Sequence, residues 1–200
     1  REHGQHPPRL ALHHHHRAAH PLAEGHGLLQ AQLQVVIDGG VDGLGRLRDG
    51  ELHLLGLQDG LADTIVRSLA PDPAGSIWIG LQSGHVQRLA AQGFQTFGVR
   101  EGLSGKPVTV LLATRRGELW VGSQGGGLRR WTGQTYAPVA EEPSWVEAEV
   151  CALTEDSRGR IWAGTANGIL ACWEGGHRHA DLVLVESAKA PITAILEDDE

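Results

Sequence analysis

The sequence predicts an all-β repeat protein, and three observations support this fold class. The motif Gly-x-[Ile/Leu]-Trp-x-Gly occurs at 75–80, 117–122 and 159–164. Its tryptophans, Trp78, Trp120 and Trp162, are separated by 42 residues in both intervals. Each interval contains short apolar runs between Gly, Asp, Pro and Ser, which is typical of antiparallel strands joined by tight turns. A fixed period of this size indicates stacked copies of one supersecondary unit.

Each unit contains four predicted strands, which we name A to D. Strand A precedes the Trp motif, and its landmarks are 42 residues apart: Val66, Val108, Val150 and Ile192. The Trp motif is strand B, and strand C follows with Val86, Leu128 and Leu170 in register. Strand D is weaker, at 94–97 and 134–136. A single four-stranded sheet would leave both apolar faces in water, so radial stacking predicts a β-propeller of four-stranded antiparallel blades.

The period divides the propeller segment, 34–200, into about four blades. Its units are about 34–64, 65–107, 108–149 and 150–191, followed by a last strand A at 192–197. Val36 stands one period before Trp78, so the first unit is degenerate. The last strand A could close a four-bladed ring, but we favour an incomplete ring because the chain stops where another Trp motif is expected.

Residues 1–33 are predicted to form a poorly ordered leader rich in His, Pro and Ala. Residues 1–30 hold eight of the 12 histidines and show no strand or helix periodicity. A metal site at His13–His16 is an alternative, which we consider weaker than a non-structural leader. The sequence begins at Arg1 and has no Met, so we expect it to be a piece of a longer protein.

Composition argues against several classes of function. The net charge is −7, and residues 31–200 contain 14 Lys and Arg against 22 Asp and Glu, so nucleic acid would be repelled. No apolar run approaches the roughly 18 residues of a membrane span. The two cysteines, Cys151 and Cys172, fit neither a zinc pattern nor a disulfide scaffold, and we expect two free buried thiols.

The Trp motif itself is predicted to be structural. Gly75, Gly117 and Gly159 supply the positive φ of the A–B turn. We interpret Trp78, Trp120 and Trp162 as packing residues rather than ligand-stacking residues. The second glycines of the motif are expected to relieve crowding near the channel or to mark a bulge; they are Gly80, Gly122 and Gly164.

Catalytic and metal motifs were sought, and no catalytic residue, metal ligand or cofactor is assigned. Gly125-Gly126-Gly127 lacks the Lys and the helix of a phosphate loop. No serine stands in a nucleophile elbow, the candidates being Ser83, Ser104 and Ser123. Calcium at Asp38 and Asp42 is a weak alternative, and His177 and His179 are interpreted as solvated turn residues.

The predicted binding surface is the rim that the D–A and B–C loops share. Varied polar loops on a rigid scaffold suit ligand recognition. The candidate ligand-binding residues of this rim are Asp59, Asp63, Gln82, Arg100, Glu101, Lys106, Gln124 and Asn167.

The whole unit resembles the two-component regulator propeller repeat, which occurs in sensor regions of bacterial hybrid histidine kinases and related signalling proteins. The resemblance rests on the run 59–66 with its Asp-Gly-Leu, the Trp motif 75–80, and 84–89. It implies a non-catalytic, ligand-sensing segment of a membrane-anchored receptor, located in the periplasm or otherwise outside the cytoplasm. The implied partners are a small molecule or glycan, downstream signalling domains of the same chain, and a second copy in a homodimer.

The third unit departs from the family pattern, and two other functions are alternatives to the sensor role. The run 141–145, Glu-Glu-Pro-Ser-Trp, replaces the Asp-Gly-Leu element of the third unit, which makes that D–A loop a place for specialised contacts. A propeller enzyme, streptogramin-lyase-like or acting on polysaccharides, would need a His or carboxylate cluster at the channel mouth. The other alternative is a protein-interaction scaffold.

Overall fold

The computed structural model describes residues 34–35, 43–48, 51–139, 143–179 and 190–198. The predicted leader, with His13–His16, lies outside the described residues, as do Asp38 and Asp42. In the described part of the chain, no helix is long and apolar enough to cross a membrane.

The described strands form four antiparallel sheets, which we call blades I to IV, and this confirms the predicted fold class. Blade I has three strands: β1 Gln34–Val35, β2 Leu44–Arg48 and β3 Glu51–Leu55. Blade II has β4 Val66–Pro71, β5 Ile77–Leu81, β6 Val86–Ala90 and β7 Gly93–Phe97. Blade III has β8 Val108–Ala113, β9 Leu119–Ser123, β10 Gly127–Trp131 and β11 Tyr136–Pro138. Blade IV has β12 Val150–Glu155, β13 Ile161–Thr165, β14 Leu170–Glu174 and β15 His177–Arg178.

Three short helices lie in the D–A loops. Two are single 3₁₀ turns, Leu57–Asp59 and Val99–Glu101, each followed by a glycine with positive φ. The third is α1, Pro143–Val146. The strands of each complete blade pair in the order A, B, C, D, so each blade is a meander.

The A–B turns are built as their sequence predicts. Gly75, Gly117 and Gly159 have φ values of 83°, 81° and 79°. In blade II, Asp72 opens the turn and its Oδ1 accepts a hydrogen bond from the Ser76 N–H at 2.8 Å. An Asp or Thr at this position therefore satisfies the turn backbone in place of water.

The core lies between blades rather than within them. One apolar cluster joins blades I and II through Leu44 and Ile79. A second joins blades II and III and contains Trp78 and Phe97. A third joins blades III and IV and contains Trp120. Among the described residues no cluster joins blade I to blade IV.

In blades II and III the penultimate residue of strand B is a glycine that lies against the next blade. A Cβ on Gly122 would lie 2.6 Å from Val110 Cγ1 and 2.9 Å from Val150 Cβ, and Val150 begins strand A of the next blade. Strand A is bulged opposite this glycine in all three complete blades, at 66–68, 108–110 and 150–152. Both predicted reasons for this glycine, crowding and a bulge, are found.

The last predicted strand differs from expectation. Residues 190–198 are described but contain no strand. Ile192 nevertheless lies against Gly164, as Val150 lies against Gly122, and its N–H donates to Thr165 O at 3.0 Å. The segment therefore takes the place of a strand A. A strand requires a paired neighbour, and the described residues contain no strand B to pair with it.

We expect Gly122→Ala to lower the free energy of unfolding by about 1–3 kcal/mol, because its methyl group would overlap Val110 and Val150. Gly56→Ala is the matched control, since a Cβ there meets no atom within 4 Å. Chemical denaturation of both variants measures the difference. Equal stability of the two variants would show that the blade contact tolerates a side chain.

Candidate functional site

The predicted rim forms through a repeated backbone contact between each B–C turn and a D–A loop. The Gln82 N–H donates to Ile65 O at 3.0 Å, and the Gln124 N–H donates to Pro107 O at 2.8 Å. One period later the Ala166 N–H donates to Glu149 O at 2.9 Å. The two kinds of loop therefore share one rim, which we call the D–A rim.

Three predicted acidic residues of this rim are engaged in bracing its loops. Asp59 Oδ2 accepts from the Gly56 N–H at 2.8 Å, and Glu101 Oε2 accepts from the Gly98 N–H at 2.6 Å. Each closes the 3₁₀ turn in which it lies. Asp63 Oδ2 accepts from the Ser83 N–H at 2.7 Å and its Oδ1 accepts from the Ile65 N–H at 3.0 Å. These carboxylates stabilise the loops, so a ligand would have to compete with backbone donors for them.

Two predicted amides are also occupied. Gln82 Oε1 accepts from Arg67 Nη1 at 2.9 Å, and Asn167 Oδ1 accepts from Thr165 Oγ1 at 2.5 Å. The side chains of Arg100, Lys106 and Gln124 are exposed and make no hydrogen bond or ion pair within the described residues. Of the eight predicted ligand-binding residues, these three remain available.

Two polar residues of strands C, which the sequence did not predict as functional, support the loops of the D–A rim. Gln87 is fully buried in β6; its Nε2 donates to Gly60 O at 2.9 Å and to Thr96 Oγ1 at 2.8 Å. Its Oε1 accepts from the Ala62 N–H at 3.0 Å. One period later, Arg129 Nη1 donates to Gly102 O at 2.8 Å, and burial lowers the pKa of Arg129. The sequence signal for these residues was a polar side chain at equivalent positions of strand C, Gln87 and Arg129, which are 42 residues apart.

The third D–A loop, which lacks the Asp-Gly-Leu element, packs into the core through a tryptophan instead of a leucine. Trp145 stands in register with Leu61 and Leu103, and all three are buried. The indole of Trp145 packs edge-on against Trp173, with 4.9 Å between ring centroids, and Arg178 lies over its ring. The specialised contact expected of this loop is therefore an aromatic one inside the core.

The opposite rim, formed by the A–B turns, carries three clefts within the described residues. We call it the A–B rim. The II–III cleft has a volume of about 400 Å³ and the III–IV cleft about 150 Å³. A third, of about 250 Å³, lies between blade IV and residues 195–197. The binding residues predicted from the sequence all lie on the other rim.

An arginine stands over the motif tryptophan in each cleft. Arg88 Cζ lies 5.4 Å from the Trp78 ring centroid, and Arg130 Cζ lies 5.8 Å from that of Trp120. Blade IV has Cys172 at this position of strand C, and Arg160 from the turn stands over Trp162 instead, at 5.3 Å. Trp78 and Trp120 are buried, whereas Trp162 is half-buried. An arginine therefore stands over the motif tryptophan in all three blades, although in blade IV it comes from the A–B turn rather than from strand C.

Asp156, in the A–B turn of blade IV, accepts hydrogen bonds from both Arg160 and Trp162. Its Oδ2 accepts from Arg160 Nε at 2.6 Å and from Trp162 Nε1 at 2.8 Å, and its Oδ1 accepts from the Arg160 N–H at 2.9 Å. Burial alone would raise the pKa of Asp156, but these hydrogen bonds and the Arg160 charge hold the pKa below its usual value.

The remaining candidates for chemistry are isolated. Cys151 and Cys172 are free thiols, Cys172 buried and Cys151 only half-buried, and burial raises the pKa of both. His179 Nε2 lies 2.9 Å from Glu174 Oε2. Within the described residues no three His, Cys, Asp or Glu groups converge on a possible metal position. Burial, with a smaller effect of Glu101, raises the pKa of Tyr136.

Comparison with known families supports the resemblance seen in the sequence. Residues 145–167 match the family described as "Two component regulator propeller". This match begins at the Trp145 loop and includes the Trp162 motif, and it confirms the predicted family resemblance. No curated protein sequence matches the chain.

Solved structures share the fold at low sequence identity. The extracellular domain of a protein described as a one-component system from B. thetaiotaomicron aligns with a TM-score of 0.63 and 20% identity over 81% of this chain. That of a hybrid two-component system from the same organism aligns with a TM-score of 0.57 and 22% identity over 70% of this chain. The chain spans only 23% and 21% of these two proteins. Virginiamycin B lyase from Staphylococcus aureus aligns with a TM-score of 0.56 and 13% identity over 72% of this chain and 50% of the lyase.

We expect Gln87→Leu to lower the free energy of unfolding by about 1–3 kcal/mol, because the Gly60 carbonyl and the Ala62 N–H lose a buried partner. Amide hydrogen exchange at Ala62 should become faster. Gln95→Leu, at an exposed glutamine of β7, is the control. Unchanged exchange at Ala62 would mean that Gln87 does not hold the loop.

We expect Asp156→Asn to reduce the loss of stability in acid. The pKa of Asp156 is lower in the folded state than in the unfolded state, so its contribution is present above about pH 4 and is lost as the pH falls through the folded-state pKa. Unfolding free energies at about pH 5 and about pH 3 measure it. Glu147→Gln, at an exposed position, is the control, and the same acid sensitivity in both variants would contradict the expectation.

Proposed function

We propose that this chain, which carries a two-component regulator propeller repeat, is the ligand-sensing segment of a bacterial signal-transduction receptor and performs no catalysis itself. The observation that carries the proposal is the family match at 145–167 together with the shared fold of extracellular domains from one-component and two-component systems.

The proposal places the segment in the periplasm, or otherwise outside the cytoplasm, as part of a membrane-anchored receptor. The structural neighbours are extracellular domains, and the chain spans less than a quarter of their length. Further blades and downstream signalling domains would belong to the same polypeptide, and a homodimer is compatible with this arrangement. Ligand binding would then act by shifting the packing of blades against the downstream module.

The arrangement of the blades suits a sensor of small molecules or glycans. Its loops are braced by side chains such as Asp63 and Gln87, so exposed groups are held on a rigid support. Arg100, Lys106 and Gln124 provide donors on the D–A rim. Donors held in place before binding lose less conformational entropy when a ligand binds.

A propeller enzyme is the second candidate, and the likeness to virginiamycin B lyase favours it. The described contact that could serve such chemistry is between Ser83 Oγ and His85 Nδ1, which lie 3.1 Å apart on one B–C turn. A nucleophile and base on one turn would also need an orienting group and an oxyanion site. Loss of streptogramin or polysaccharide turnover in Ser83→Ala and His85→Ala would support this candidate.

The sensor proposal is tested on the full-length chain in membrane vesicles. We expect a membrane-spanning helix and a kinase or cyclase module downstream, and we expect phosphorylation or cyclase output to change with an added small molecule or glycan. Deletion of 34–198 should abolish this response and leave basal output. A chain that ends soon after the propeller, or a response that survives the deletion, would contradict the sensor role.

A further inference from the structure

The II–III cleft differs from the other two clefts in how its walls are joined. In the III–IV cleft the Arg115 N–H donates to Glu155 Oε2 at 2.7 Å, which ties the blade III turn to the next strand A. One period later the Ser157 N–H donates to Glu197 Oε2 at 2.6 Å, and Ser157 Oγ donates to Glu197 Oε1 at 2.7 Å. A hydrogen-bonded clamp from the A–B turn to the following segment therefore spans both of these clefts.

The II–III cleft lacks this clamp for a chemical reason. Pro73 occupies the position of Arg115 and Ser157, and proline has no N–H to donate. Ala113 occupies the position of Glu155 and Glu197, and it has no carboxylate to accept. The cleft without a clamp has the largest volume of the three, about 400 Å³.

The walls of the II–III cleft are cationic, although the chain as a whole is acidic. Arg88, Arg115 and Arg116 line it, against a single lining carboxylate, Asp72. Arg115 is paired with Glu155 of the next strand A, with 3.4 Å between Nε and Oε1. Asp72 is buried and already bound to Arg88 at 3.1 Å. Arg116 is exposed and makes no hydrogen bond or ion pair within the described residues. Guanidinium groups match carboxylate, sulfate and phosphate oxygens in geometry and charge.

The floor of the cleft is aromatic. Phe97 packs against Trp78 and Trp131, with centroid separations of 5.6 Å and 5.3 Å, and Trp131 is half-buried. Gln95 adds an exposed amide beside it. Aromatic rings beside arginine side chains fit a ligand that has both a ring or other apolar body and an oxyanion.

We infer that the II–III cleft binds a small anionic ligand that carries a carboxylate, sulfate or phosphate group on a compact apolar body. Arg116 and Arg88 contact the oxyanion, and Trp131 and Phe97 contact the body. The inference rests on the proposed sensor function and deepens it, because it gives the ligand a chemical class. It also places binding on the A–B rim, opposite the rim that carries Arg100 and Lys106.

The other two clefts carry more carboxylates than the II–III cleft. Arg116 also lines the III–IV cleft, but there it stands beside two carboxylates, Glu118 and Glu155. The third cleft is lined by Asp156 and Glu197, with Arg160 already bound to Asp156. Carboxylates in both would repel an anion, so binding is confined to the cleft where the clamp glutamate is replaced by alanine.

Isothermal titration on the full chain tests the inference with three probes that share a phenyl body: phenyl phosphate, phenyl sulfate and benzoate. Inorganic phosphate, inorganic sulfate and phenol separate the contributions of oxyanion and ring. We expect Arg116→Glu to weaken binding of the preferred probe about tenfold or more. Arg158→Glu, the same charge change one period later, is the matched control and should leave binding unchanged.

A second variant closes the cleft without removing a cation. Pro73→Ser with Ala113→Glu installs the clamp that Ser157 and Glu197 form in blade IV. We expect it to abolish binding while circular dichroism and unfolding remain those of the native protein. Three results would overturn the inference: no probe binds, Arg116→Glu and Arg158→Glu weaken binding equally, or the clamped variant binds as well as the native chain.

Failure of this inference and failure of the sensor role give different results. If the receptor with Arg116→Glu responds normally and the deletion of 34–198 abolishes the response, the cleft is not the sensor site and the sensor role stands. If the probes bind at the cleft and the response survives the deletion, the sensor role fails and the anion site stands.

Discussion

The blades depend on one repeated contact, in which a glycine at the end of strand B lies against the β-branched residue that begins the next strand A. The pairs are Gly80 with Val108, Gly122 with Val150 and Gly164 with Ile192. The absence of a Cβ lets two backbones approach closely, and the bulge in strand A accommodates the approach. The interblade cores contain Trp78 in one cluster and Trp120, Trp145 and Trp173 in the next. Ile192 makes the contact even without a paired strand, which shows that blade packing does not require the complete ladder.

This contact fixes the centre of each blade and leaves both rims free to vary. On the D–A rim, many of the polar side chains stabilise the loops. Asp59 and Glu101 close their own 3₁₀ turns. Gln87 and Arg129 donate hydrogen bonds to loop carbonyls from inside the sheet. Loop backbone that leaves a strand ladder must satisfy its polar groups in some other way, and short polar side chains do so. For this reason a polar loop residue is weak evidence of a binding residue.

On the A–B rim, substitutions at equivalent positions determine which cleft is open. The arginine over the motif tryptophan is retained even where strand C carries Cys172, because Arg160 replaces it from the turn. The clamp from the A–B turn to the following segment is not retained in the same way, since Pro73 and Ala113 remove its donor and acceptor together. Repeats that are equivalent in packing can therefore differ in chemistry, and a site is best sought where one repeat lacks a contact that the others share.

The sequence by itself determined the period, the strand order and the A–B turn glycines, because these depend on spacing within about ten residues or on an exact repeat. It predicted crowding or a bulge at the second glycines, but not that the crowding is with the next blade. It also indicated the family through the same repeated landmarks. Only the tertiary structure decided that five of eight predicted rim residues brace loops, that 192–197 is not a strand, and that the open cleft lies on the A–B rim. Asp59, Glu101 and Asn167 hydrogen-bond within their own turns, to partners two or three residues away. Asp63 and Arg115 depend instead on Ser83 and Glu155, which lie 20 and 40 residues away in the same or the next blade. Such distances are set by blade packing, and sequence spacing does not specify them.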